Sequence, residues 1–343
     1  MFFRKAIQAE DQAAFFGQLS SHLKAGVPVG EALACIAEDA PRPAVRKLAA
    51  IIGGDLAKGT SVDVALKRQD ELLGPVIAER LVAINTDSLE QVSNEIAEFL
   101  TKRAGIDQRI AYLNSWQKLT LVVAALMTFI ILVFVAPAFK EVFASFGGEL
   151  PAPTLFIIEV SDFVGEGWWI ILLLWGGTLI ANRRIPAVAR AIGGLSLRLP
   201  GIGRKQRIVA AALVMDSAAF LARRGMGSAD AMRCAAGVLD NANLRASWEQ
   251  VAGKLDGGVS LADALQTSGI APRSLIAHAK AVPDASVSSL DEIVAANRDS
   301  AAWFVAAYGQ RSRQVVTVIL GIFVALLVIG LYLPIFKLGS VVG

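Results

Sequence analysis

The sequence is poor in residues that do chemistry. Two cysteines and two histidines among 343 residues are too few for a disulfide framework or a zinc site. Charged residues make up only 18% of the chain, against roughly 25% in soluble domains. The net charge is +3, which argues against a general nucleic-acid binder. No alternating strand pattern of useful length occurs, and neither GxSxG nor HExxH is present. His22 and His278 have no Cys, Asp or Glu at ligand spacing. Lys58-Gly59-Thr60-Ser61 lacks the residue order of a phosphate loop, and Gly201-Ile202-Gly203 reads as a turn. Without an acid, base and nucleophile constellation, no enzyme is expected, and no cofactor or metal. Arg4 and Lys5 are followed by a polar stretch instead of an apolar one, so no secretory signal peptide is expected.

What the chain does have is apolar residues, 55% of the total, with a mean hydropathy of +0.54. They concentrate in blocks. Leu119 to Ala136 gives 18 residues without a charge, and Val315 to Leu333 gives 19. Each approaches the ~20 residues that cross a bilayer. Trp168 to Ala181 is shorter, 14 residues, preceded by Glu159, Asp162 and Glu166. Trp168 and Trp169 open it and Arg183 and Arg184 close it, as an aromatic belt and a cytoplasmic flank would. The stretch from Leu155 to Glu166 reads as an amphipathic or partly exposed lead-in. None of the three runs contains an ionisable residue, which argues against an ion-relaying transporter. Lys102, Arg103, Arg109 and Lys118 precede the first run, Arg183, Arg184 and Arg190 follow the second, and Arg298, Arg311 and Arg313 precede the third. The positive-inside rule then places both large polar regions in the cytoplasm and the 138–166 loop outside. In that reducing compartment Cys35 and Cys234 are expected to be plain buried apolar residues.

The polar regions repeat each other. At an offset of 199 positions, Gly26 falls on Gly225, Cys35 on Cys234, Leu56 on Leu255, Gly59 on Gly258, Ser61 on Ser260 and Leu66 on Leu265. Gly26, Gly59, Gly225 and Gly258 are expected to stop helices, because glycine tolerates positive φ. Ser61 and Ser260 are placed to cap the helices that follow. Each half reads as about six short helices, the last running on towards the membrane, Ser88 to Ala111 and Ser289 to Arg311. The expected fold is all-α: a polytopic membrane protein with three transmembrane helices and two duplicated cytoplasmic helical bundles. The expected division is a first cytoplasmic repeat over 1–117, a span over 118–137, an external loop over 138–166 and a second span over 167–182. A second repeat over 183–313, a third span over 314–336 and an external tail over 337–343 complete it.

Three stretches resemble a known family. Val135 to Thr154, with Pro137, Phe139, Phe143, Gly147, Leu150, Pro151 and Thr154, is similar to the segment after the first span of the inner-membrane platform proteins of type II secretion and type IV pilus systems, the GspF/PilC-like family. So are Leu199 to Gly203, with Pro200 and Gly203, and Leu331 to Phe336, with Pro334. The resemblance covers nearly the whole chain. It implies a non-catalytic platform in the bacterial inner membrane that binds a hexameric cytoplasmic assembly ATPase and couples it to extraction of pilin or pseudopilin subunits. It also implies self-association and contact with other inner-membrane assembly proteins. The family's Gly-Glu-x-x-Gly-x-Leu motif is reduced here to its leucine, in Ala83 to Leu89 and Asp284 to Leu290, so no role resting on that glutamate carries over. That departure and the absence of a longer N-terminal extension favour a pilus system, of the type IVb kind. Glu38, Asp39, Arg42, Arg46, Glu79 and Arg80 are expected on exposed faces as candidates for partner contact. The basic group Arg198, Arg204, Lys205 and Arg207 suits anionic membrane lipid. The competing reading is a membrane transport or channel component.

Overall fold

The computed structural model describes residues 7–82, 88–138, 141, 152–282 and 287–341. Among them every regular element is helical. The chain divides into two compact units: residues 1–109 with 193–305, and residues 110–192 with 306–343.

The first unit opens with α1 (Ala9–Lys24), α2 (Val29–Asp39), α3 (Pro43–Ala57), α4 (Val62–Lys67), α5 (Asp70–Leu73) and α6 (Pro75–Val82), followed by the start of α7 (Leu89–Ile130). Its second stretch holds the end of α9 (Pro186–Arg198), then α10 (Ile202–Ala222), α11 (Ser228–Ala236), α12 (Ala242–Asp256), α13 (Leu261–Ser268), α14 (Arg273–Ala281) and the start of α15 (Val287–Val341). Helix α12 begins and ends 199 positions after α3, while α11 and α13 begin 199 positions after α2 and α4.

The helix ends follow from glycine. Gly26, Gly59, Gly225 and Gly258 have φ of 81°, 83°, 85° and 77°, a region that residues with a Cβ rarely adopt. After three of them the next amide reaches back five residues to a freed carbonyl: Val27 to His22, Thr60 to Asp55 and Val259 to Lys254. These are the bonds of a Schellman stop. The serine caps differ between the halves. The Ser260 hydroxyl accepts from the Asp263 amide at 3.2 Å. Ser61 sits at the corresponding N-cap in extended backbone but makes no side-chain cap bond. Its hydroxyl instead holds the Asp63 carboxyl below its ordinary range.

One apolar core runs through this unit. Phe15 and Phe16 pack edge to face at 5.1 Å, and Trp248 is fully buried. Phe99 of α7 stacks on Phe220 of α10, with centroids 4.4 Å apart. A Cβ on Gly237 would lie 2.8 Å from the Pro75 ring, so glycine there lets the two stretches meet closely. Cys35 and Cys234 are half-buried, not fully buried as expected. Partial burial, with Glu79 adding to it, pushes the Cys234 thiol up to about 11, so it stays protonated.

The second unit holds the rest of α7, a π-helical turn over Ile131–Val135, α8 (Ala152–Arg184) and the rest of α15. Two helices are long and apolar enough to cross a membrane: the most apolar 18-residue windows within Leu119–Ala138 and Leu290–Gly330 have mean hydropathies of 2.9 and 2.3. Helix α8 begins at Ala152, so the end of the expected 138–166 loop and the lead-in to the short apolar run belong to one helix. Its 33 residues extend about 50 Å at the usual helical rise.

Candidate interaction site

The first unit brings together charges that are far apart in sequence. Arg80 on α6 is 2% exposed. Its Nη2 and Nε donate to Glu95 Oε2 on α7 at 2.6 and 3.2 Å. Arg224, just beyond α10, pairs with the other oxygen, Oε1. A single carboxylate thus holds two guanidinium groups, one from each sequence half. Beside it Asp216 on α10 pairs with Arg298 on α15, and Arg223 pairs with Asp291 at 2.7 Å. Glu98 and Lys102 complete the rim of the pocket between these groups, and the Phe99–Phe220 stack lines it. Burial pushes the Asp216 carboxyl above its ordinary range, although Arg298 pulls the other way. Losing water costs that carboxylate more than one partner returns.

This arrangement corrects the expected exposure of Arg80: its guanidinium is an internal tie, held in place by Glu95. Glu38, Asp39, Arg46 and Glu79 are exposed. Arg42 is half-buried and pairs with Glu10 and Asp11 of α1. Glu95, Arg224, Asp216 and Arg298 escaped the sequence reading. Asp216 left a signal, as the only charge between Arg207 and Arg223 in a helix of small and apolar residues. Glu95 left a weaker one, one residue before Ile96 and three after Val92, both fully buried.

Of the family-like residues, Phe139, Phe143, Gly147, Leu150 and Pro151 lie outside the described residues, as do 83–87 and 283–286 of the reduced motifs. Pro200 lies in the turn between α9 and α10, and Gly203 in the first turn of α10. There Gly201 has a φ of 85°, and a Cβ on Gly203 would lie 2.1 Å from the Leu197 carbonyl oxygen. The basic group Arg198, Arg204, Lys205 and Arg207 flanks the same turn, with Lys205 half-buried and its pKa lowered by that burial.

Pro137, Thr154 and Pro334 form a pattern in the second unit. Proline has no N–H, so it leaves a carbonyl one turn earlier without its helical donor. For Pro334 that carbonyl belongs to Gly330, and the Thr154 hydroxyl of α8 donates to it at 2.6 Å. Near Pro137 the π turn sends the Ala136 amide to the Ile131 carbonyl. In that register the Leu132 carbonyl faces Pro137, and the Ser161 hydroxyl of α8 donates to it. Both hydroxyl-bearing residues are buried, with Ile158 buried between them on the same face. Two proline-freed carbonyls on two apolar helices therefore take their protons from one helix.

Residues 15–137 match the family model described as type II secretion system (T2SS), protein F. The chain is 27% identical over 350 residues to the type IV pilus assembly protein TapC of Aeromonas hydrophila, covering 98% of this chain and 83% of that one. It is 25% identical over 360 residues to the type IV pilus assembly protein PilC of Pseudomonas aeruginosa, covering 99% and 92%. It is 26% identical over 341 residues to the type II secretion system protein F of Aeromonas hydrophila, covering 96% and 84%.

Proposed function

Because the chain belongs to the GspF/PilC-like family of type IV pilus and type II secretion proteins, we propose that it is the inner-membrane platform of such a system. In this reading it is not a catalyst. It couples a cytoplasmic hexameric assembly ATPase to extraction and polymerisation of pilin or pseudopilin subunits. It also associates with itself and with other inner-membrane assembly proteins. The observation that carries the reading is the extent of the likeness, which runs through nearly all of this chain and most of each relative.

The physical features agree with that reading. Helix ends and positive-φ glycines at one offset support a duplicated helical domain. Three apolar runs, with basic residues on one side, support three crossings with both repeats in the cytoplasm. Helix α8, about 50 Å long, is longer than the ~30 Å hydrocarbon layer, so it accommodates the second crossing and its lead-in together. The Arg80–Glu95–Arg224 tie supports a rigid cytoplasmic body on which a motor can bear.

The test is a clean deletion in the native host, paired with mild-detergent purification of the protein after crosslinking. The expected result is loss of filaments or secretion with unchanged subunit synthesis, and recovery of an assembly ATPase with the protein. Normal filaments and normal secretion in the deletion strain would overturn the reading.

A further inference from the structure

On the second half of the first unit an open groove runs between the α9–α10 turn, the start of α14 and α15. Arg198, Arg204, Arg207 and Arg273 line it, against one carboxylate, Asp299. Among the described residues none of the four arginines is in an ion pair, although Arg204 lies over the Phe304 ring at 5.2 Å. Such an excess of unpaired guanidinium groups in one concave surface favours an anionic occupant.

Two further observations point the same way. Helix α14, of 9 residues, starts in the groove behind Pro272, with no side chain capping it. The first-turn amides of such a helix lack internal partners and face a favourable dipole for an anion. Asn297 on the groove wall is 1% exposed, and its Nδ2 has no hydrogen-bond partner. A buried amide donor left without an acceptor costs stability unless something accepts from it. The rim is apolar: Trp303 is 73% exposed and Leu199 46%. Basic groups behind an exposed tryptophan and leucine match a headgroup–acyl boundary.

We infer that this groove binds the phosphate headgroup of an anionic phospholipid of the cytoplasmic leaflet. The arginines, the α14 amides and Asn297 receive the phosphate, and Trp303 and Leu199 lie against the upper acyl chain. The inference rests on the platform reading only in facing these residues to the cytoplasm. It goes beyond that reading by assigning a lipid site to the second half alone. The positions matching Arg204, Arg207 and Arg273 hold Lys5, Gln8 and Gly74, none of them arginine.

The experiment uses the full chain, delipidated in a neutral detergent and titrated with phosphatidylglycerol or phosphatidylcholine while bound lipid is read by native mass spectrometry. Phosphatidylglycerol should be retained in preference. The double variant Arg198→Ala/Arg273→Ala should bind it on the order of twentyfold more weakly, a few-fold for each surface arginine. Trp303→Ala, at an exposed position where folding is not at stake, should weaken both lipids alike. Arg46→Ala, away from the groove, should change nothing. Equal retention of the two lipids, or unchanged phosphatidylglycerol binding in a folded double variant, would overturn the inference. So would displacement of the lipid by a poly-glutamate peptide at equal concentration, which would assign the groove to an acidic protein segment. Normal filaments and secretion in the deletion strain would remove the platform reading and leave this titration untouched.

Discussion

The two halves of the first unit share a frame and differ where they meet. Their helices keep one register, and their stops fall on matched glycines. Their buried charges do not match. Arg80 and Glu95 form an ion pair in the first half, whereas the matching positions in the second hold Ala279 and Val294. Asp216 and Arg298 pair in the second half, whereas the first has Gly17 and Phe99. Phe99 then stacks on Phe220, whose own match is Ser21. Positions that pack within one half tolerate the same residue in both. At these contact positions the halves hold different residues, so each charge meets an opposite charge and each ring a surface.

The largest effect is expected at Glu95. Glu95→Ala takes from buried Arg80 the carboxylate that accepts from its Nε and Nη2, and removing one partner of a buried pair costs about 3–5 kcal/mol. Thermal unfolding in detergent should show it as a large fall in Tm. Arg224→Ala should cost no more than about 1 kcal/mol, because its side chain is 36% exposed. Equal losses from the two variants would erase the asymmetry between buried and bridging partners.

A smaller effect, about 1–3 kcal/mol, is expected from Thr154→Val, which leaves the buried Gly330 carbonyl without a donor. Pro334→Ala should suppress it by returning an amide to that carbonyl, and Pro137→Ala should not. A double-mutant cycle measures the coupling. Additive losses would show that the threonine hydroxyl and the proline act independently. The smallest effect separates the serine caps. Ser260→Ala should cost about 1 kcal/mol and Ser61→Ala distinctly less, since only Ser260 bonds a helix amide. Equal costs would remove this difference between the halves.

The frame was legible in the sequence because glycine stops and helix spacing are local. Gly26, Gly59, Gly225 and Gly258 needed only the rule that positive φ favours glycine over residues with a Cβ. The all-helical class and the two longest apolar runs were legible for the same reason. The interior charges were not. Whether Arg80 faces water or Glu95 is decided by how α6 meets α7, and no spacing within α6 encodes that. The bonds of Thr154 and Ser161 were hidden for a related reason. The prolines were visible as helix punctuation, but their donors lie on another helix, 176 and 29 residues from the carbonyls they serve.

Those two hydroxyls have a mechanical consequence. They sit seven positions apart on one face of α8, about 10 Å along its axis, and each grips a different neighbour. A slide of α8 by one turn would lift both from their carbonyls at once, and the neighbours' own prolines could not refill the vacancies. The two bonds therefore oppose an axial slide of α8 together, one on each neighbour.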